Sequence, residues 1–451
     1  MRLLRPLAWR PALLVLLCLA GGMAHGASVW WPVGAAVLAL LCEGWRAKGS
    51  GIAAVILGIA FAPTEPARVI EPLAGTFVVR VATLPRAVGD GASFLAETTG
   101  GARLVTFVEG RGLSLGDVAR VDGRLVPLQR GPDDYLISRQ VAGRLRIKRL
   151  ERVSRGSRWA TWLTTVSDRV QARLESRLGK ERGRLVGAVC FNFDGLLDDE
   201  TNGVLRRSGA YHLVSASGMH VQVIAFLVLA AGAWVPVPRW AWVLFGAGLL
   251  ILYSALTGWH AATLRSTLMW TVAALAYTVG RGEDGLSALG AFGTLWLVCN
   301  PADLYDAGFA LTMIVTASLV AMPRSEGGFG SKEAKTGLVA WFASEPLLIL
   351  MTGRWLPLAF PANIAVGLIS SVVLVTGLLA GCLPGLPGDW AAYPAGWFAD
   401  LMMAVVQAFA RPEFGQVSLP SWSPIFVMIL YAVLAGGWLA YESRRCPLPP
   451  P

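Results

Sequence analysis

Nine consecutive residues, His212-Leu-Val-Ser-Ala-Ser-Gly-Met-His220, carry two imidazoles, two hydroxyls and a glycine into the head of an apolar segment that runs to Ala233. Polar and ionisable groups are costly inside a bilayer, so such a cluster marks a substrate or proton path unless it sits at the interface and bonds to nearby carbonyls. Polarity alone leaves both readings open. A second candidate is Arg265, inside another apolar segment. It cannot lose its proton, and it costs roughly 2.5–3.5 kcal/mol at mid-bilayer unless it is paired or hydrated. A structural ion pair with Glu345 or Asp306 is the plain alternative.

Metal and hydrolytic chemistry find little support. His212 and His220 lie ~80° apart around an ideal helix, and no Cys/His cluster accompanies them, so neither a metal nor a cofactor is expected. There is no GxSxG, HExxH, CxxC or Walker A pattern. Asp194, Asp198, Asp199 and Glu200 precede a helix, where acids more often cap than catalyse.

The elements that hold these residues are largely membranous. Of 451 residues 55% are hydrophobic and only 15% charged, against about 25% charged in soluble domains. The fold class expected is therefore a polytopic α-helical membrane protein with about 10–12 spans and one inserted small extracytoplasmic β-barrel, OB-like in its strand count. Apolar runs lie at Pro11–Met23, Val29–Cys42 and Ile52–Ala62, in an N-terminal membrane portion over 1–62. Further runs lie at His212–Trp234, Trp240–Thr257, Ala261–Val279, Leu286–Cys299, Tyr305–Met322, Gly337–Met351, Ala362–Cys382, Trp397–Ala410 and Ile425–Tyr441. These belong to a membrane domain over 184–445, ahead of a tail over 446–451. Arg2, Arg5, Arg10, Arg46, Lys48, Arg239, Arg281, Arg324 and the Arg444-Arg445 pair place the N-terminus in the cytoplasm and the β-domain outside.

Residues 63–158 read as that β-domain, with five strand-like segments: Gly75–Ala82, Ser93–Thr98, Ala102–Val108, Asp117–Leu125 and Gly143–Leu150. The last leads into Arg144, Arg146, Lys148, Arg149, Arg152, Arg155 and Arg158. Such a cluster fits a phosphate backbone or an anionic lipid surface equally well on charge alone. Phe77, Phe94, Phe107 and Tyr135 either fill the β-domain or stack on bases. Residues 159–183 then show Val166, Val170, Leu174 and Leu178 beside a stripe of Arg169, Arg173 and Arg177, the pattern of a helix lying on a membrane surface. Leu185–Phe193 is apolar but too short to span.

The stretch from His212 to Val221 resembles the HLxxxSGxHV signature of the ComEC family of competence DNA-uptake proteins. Tyr253-Ser-Ala-Leu-Thr-Gly258 with Leu264–Met269, Asn300-Pro301, Asp306–Thr312, Glu345-Pro346 and Ala362-Asn363 resemble its further blocks in order. Met219 stands where leucine is usual, and Glu345 where an uncharged residue is expected. The resemblance implies an inner-membrane channel, multi-pass, that conducts single-stranded DNA into the cytoplasm during natural transformation. It implies His212, Ser215, Ser217, Gly218, His220, Gly258, Arg265, Asp306, Gly308 and Asn363 along the path, and capture of DNA by the basic cluster. It implies no catalysis in this chain: the family's C-terminal metallo-β-lactamase-like domain finds no HxHxDH here. A separate DNA receptor, motor ATPase and nuclease would then be partners, besides the lipid bilayer and a possible second copy. A transporter of another substrate on the same fold and a membrane-embedded hydrolase remain the alternatives.

Overall fold

A computed structural model describes residues 11–23, 35–36, 45–60, 69, 71–88, 91–109, 112–129, 141–193, 196–214, 216–278, 280, 285–322, 329–411 and 416–419, with 426–427, 429–431, 433–434 and 436–437 near the C-terminus. The chain divides into two compact units: Met1–Thr64 with Val272–Trp355 and Val417–Pro451, and Glu65–Thr271 with Leu356–Gln416. Of the expected runs, Val29–Cys42 falls mostly and Ile425–Tyr441 partly outside the described residues.

The second unit begins with six strands: β1 (Leu73–Val81), β2 (Arg86–Val88), β3 (Gly91–Thr98), β4 (Arg103–Glu109), β5 (Val118–Val126) and β6 (Val141–Ser154). Five coincide with the alternating segments read from the sequence, and the short β2 is added. Neighbours run β1-β5-β6-β4-β3-β2, and β1 also pairs with β3, so the pairings close a circuit of five strands. All of these pairs are antiparallel except β4 with β6. Period-two alternation points Val79, Val81, Phe94, Ala96, Leu104, Ala119, Val121 and Leu145 into one apolar core. Thr106 shares that interior because its hydroxyl donates to the Leu145 carbonyl at 3.0 Å.

Helices follow, labelled here with the two that precede the sheet: α1 (Pro11–Met23), α2 (Trp45–Ala60), α3 (Arg158–Leu178), α4 (Lys180–Phe191), α5 (Asp199–Ser208), α6 (Tyr211–Val214), α7 (Gly218–Gly232), α8 (Arg239–Leu256), α9 (Ala261–Thr278), α10 (Gly285–Cys299), α11 (Ala307–Ala321), α12 (Phe329–Thr352), α13 (Ala359–Cys382) and α14 (Gly385–Ala410). Among the described residues three segments are long and apolar enough to cross a membrane: α8, Ala334–Thr352 of α12, and α13. The apolar helices α7, α10 and α11 are shorter. The chain is thus a membrane protein, and six of the apolar runs read from the sequence fall on these helices. The run expected at Trp397–Ala410 is the second half of a 26-residue helix that continues across Pro394.

Helix α3 packs against the other helices of the second unit. Its apolar stripe faces protein, not lipid: Val170 and Leu174 are buried with Val186, Val189, Phe191, Val373 and Leu374 in the main helical core, and Val166 and Leu178 pack against it. Each such burial stabilises by roughly 1.5–3 kcal/mol. Its basic stripe is likewise engaged. Arg173 Nη1 donates to the Cys382 carbonyl at 3.2 Å and to that of Gly381 at 3.4 Å. Arg177 donates to the carbonyls of Ala380, Leu383 and Gly385, and its Nε pairs with Asp389 Oδ1 at 2.7 Å. Two guanidiniums therefore cover the C-terminal carbonyls of α13, where a helix leaves orphan acceptors and partial negative charge.

Candidate functional site

Helix α7 starts inside the nine-residue stretch. Ser217 adopts an extended conformation (φ −125°, ψ 174°) at its N-cap. The Ser217 backbone N–H donates to His220 Nδ1 at 2.9 Å, and the Ser217 hydroxyl lies 2.9 Å from the same nitrogen. This is a reciprocal capping box in which an imidazole stands where Glu or Gln is usual. Because Nδ1 accepts, the ring is the neutral tautomer with its proton on Nε2. His220 is fully buried. Its Nε2 meets no acceptor in hydrogen-bonding geometry among the described residues.

His212 takes a different place. It lies exposed on α6, with Nδ1 donating to the Gly209 carbonyl at 3.1 Å. The two histidines therefore have separate partners, and Ser215 lies outside the described residues. Gly218 packs close to α9: a Cβ there would stand 2.8 Å from Ser266 Oγ, which would have to turn aside.

The backbone ahead of α7 is held by a residue the sequence reading missed. Asn192 ends α4 in the left-handed conformation (φ 61°, ψ 38°), is buried, and accepts from the Ala216 N–H at 3.2 Å through Oδ1. Asparagine tolerates this conformation better than other residues with a Cβ. The signal was an Asn directly after a short apolar run, a C-cap pattern.

Helices α8 and α9 supply the rest of the polar interior. Ser254 Oγ lies 3.1 Å from Thr267 Oγ1, and Thr257 Oγ1 lies 3.3 Å from Thr263 Oγ1. Between them the chain turns through consecutive positive φ values at Gly258 (77°) and Trp259 (56°). Such a φ is ordinary for glycine and strained for tryptophan. Arg86 of β2 clasps this turn, its Nη2 donating to the Thr257 carbonyl at 3.1 Å. The buried residues of α9 are Thr263, Arg265 and Thr267. Every one is polar, and Arg265, at 2% exposed, heads the largest fully buried side chains. Asn363 lies half-buried on α13, and its buried Oδ1 has no hydrogen-bond partner among the described residues.

Two other path candidates belong to the first unit. Asp306 is the N-cap of α11, its carboxylate accepting from the Phe309 N–H at 3.0 Å, and Gly308 lies in the first turn of that helix. Asp194 lies outside the described residues. Asp198 caps α5, accepting from the Thr201 N–H at 3.3 Å. Among the described residues no group of three or more His, Cys, Asp and Glu comes together.

The basic cluster is exposed throughout, but its members differ. Arg144, Arg146 and Lys148 alternate along the outer face of β6, with Arg149 beyond a bulge. Arg152 is turned away: its Nη2 donates to the Gly112 carbonyl and its Nε lies 3.5 Å from Asp117 Oδ2. Buried Asp117 also accepts from the N–H groups of Ser114 (2.9 Å) and Gly156 (2.7 Å), fixing the entry to α3. Arg155 precedes that helix, and Arg158 is its first residue.

Residues 189–444 match the model of a family described as competence protein. Competence protein ComA of Neisseria gonorrhoeae is 30% identical over 249 residues, covering 51% of this chain and 34% of that protein. ComE operon protein 3 of Bacillus subtilis (strain 168) is 22% identical over 424 residues, covering 86% of this chain and 54% of that protein. The chain thus spans about a third and about half of the curated relatives it matches. No solved structure matches it.

Proposed function

The chain belongs to the competence-protein family, and on that premise we propose that it conducts one strand of incoming DNA across the inner membrane during natural transformation. One observation carries the reading: the three buried residues of α9, Thr263, Arg265 and Thr267, are all polar, and Arg265 is the largest of them. A helix among lipid-facing neighbours turns its polar groups inward when the interior must be wet. A passing strand brings one negative charge per nucleotide, and a guanidinium that cannot deprotonate compensates it without depending on pH. The hydroxyls of Ser254, Thr257, Thr263 and Thr267, with His220 behind the Ser217 cap, extend that polar interior.

The sheet is read as an OB-like barrel on the outer side of the membrane. Support comes from the closed circuit of strand pairings and from the distribution of Arg and Lys between the apolar runs. Its exposed basic residues meet the strand first, through Coulomb attraction and counterion release. In this reading the helices supply passage and no bond is cleaved. A receptor and a motor ATPase act with the chain in this reading.

The test is deletion of the gene followed by tracking of fluorescently labelled DNA under competence conditions. DNA should stop outside the cytoplasm and enter again when the wild-type chain is restored. Undiminished entry in the deletion strain would overturn the reading.

A further inference from the structure

Phe107 on β4 is 45% exposed, although Phe94 on β3 is buried in the core beneath. It stands in register with Arg146 of β6, and Arg146 stands in register with Arg124 of β5. All three are exposed, so one row across three adjacent strands reads aromatic, cation, cation. At ~4.8 Å between strands the row covers about 10 Å. Arg124 then lines, with Lys148, a groove of about 570 Å³ that runs past Gly75 and Gly123, themselves register partners. Asp122 also borders the groove, but its carboxylate accepts from Thr76 Oγ1 at 2.6 Å and it faces Arg149 in register.

The ring has a defined seat. A Cβ on Gly91 of β3 would stand 2.5 Å from Phe107 Cζ and 2.8 Å from its Cε2, so the ring tip occupies the space the glycine leaves empty. The neighbouring strand thus covers part of the ring while the rest stays open beside Arg146. An aromatic ring held in this way, next to guanidiniums, stacks an unpaired base while the cations hold the adjoining phosphates. A base inside a duplex has both faces covered by its neighbours and offers none.

We propose that Phe107, with Arg146, Arg124 and Lys148, makes the outer face of β4, β6 and β5 a binding platform selective for unpaired DNA strands, Phe107 being the stacking residue. This rests on the DNA-handling reading above and adds to it the strand state that is recognised and residues outside the 144–158 run.

The full chain in lipid nanodiscs is titrated against a fluorescein-labelled 20-mer of oligothymidine and against a duplex of equal length. Base–aromatic stacking is worth about 1–3 kcal/mol per base, so Phe107→Ala should weaken oligothymidine binding about tenfold and leave duplex binding unchanged. Phe107→Leu keeps an apolar cover over Gly91 but has no π-face, and it should lose as much as Phe107→Ala. Phe107→Trp should bind at least as tightly as wild type. Wild-type affinity in Phe107→Leu, or equal loss for strand and duplex, would overturn the platform. A wild-type chain that binds neither probe would overturn DNA handling by the sheet altogether, and the deletion experiment reads out conduction independently.

Discussion

The Ser217 backbone N–H and His220 Nδ1, 2.9 Å apart, close a capping box at the start of α7. One bond does two things there. It satisfies a donor at a helix terminus, and it selects the imidazole tautomer whose remaining N–H points away from the cap.

These two roles come apart in His220→Gln. Glutamine can make the same reciprocal cap, so the variant should accumulate and unfold like wild type while DNA entry falls. His220→Ala loses the cap as well, at about 1 kcal/mol. Thermal unfolding in nanodiscs and labelled-DNA entry are measured together. Normal entry in His220→Gln would reduce the residue to a helix cap.

Arg265→Lys is the informative change on α9. Truncation to alanine empties the site of a 2%-exposed side chain and leaves a cavity, which typically costs about 2–5 kcal/mol. Lysine keeps the charge but loses the planar fork. The variant should reach the membrane at wild-type level and admit DNA at least tenfold more slowly. Transformation frequency normalised to protein level decides it.

Arg152 should behave unlike its neighbours, because Asp117 and the Gly112 carbonyl hold its guanidinium. Arg152→Ala should lower thermal stability with little change in how oligothymidine affinity depends on salt. Arg146→Ala should do the reverse, reducing the log–log salt slope by about 0.7 for one lost single-strand phosphate contact. Equal salt slopes in the two variants would show that the latch is not held in solution.

The cap of α5 gives a pH dependence. The hydrogen bond with Thr201 holds the Asp198 carboxyl below its ordinary range. A folded-state pKa below the unfolded one contributes stability that is present above the unfolded value, about 3.9, and is lost as pH falls through the folded value. Hydrogen exchange of the first turn of α5 should therefore accelerate on acidification through and below about pH 4 in wild type. In Asp198→Asn the exchange should not respond to pH in that window beyond the intrinsic chemical rate.

Much was legible because it is local. Alternation marked the strands, since side chains two apart share a face whatever the sheet's partners are. Asp198 announced its cap by standing before a helix, and the polar stretch at Ser217 and His220 announced itself by its cost in an apolar segment. The ordered blocks from His212 to Asn363 carried the family.

What the chain alone could not decide is which neighbour covers a face. The stripe of Val170 and Leu174 has the same period whether lipid or protein lies against it, and only packing with α4 and α13 assigned it to the core. Arg173, Arg177 and Arg152 read as free cations until carbonyls about 200 and 40 residues distant came within reach. Phe107 belonged as plausibly inside as out, because β4 alternates mixed residues on both faces. The Thr106 hydroxyl found the Leu145 carbonyl within, and the ring went to the surface over Gly91. Periodicity fixes that an element has two sides; only the long-range contacts decide which of them meets protein.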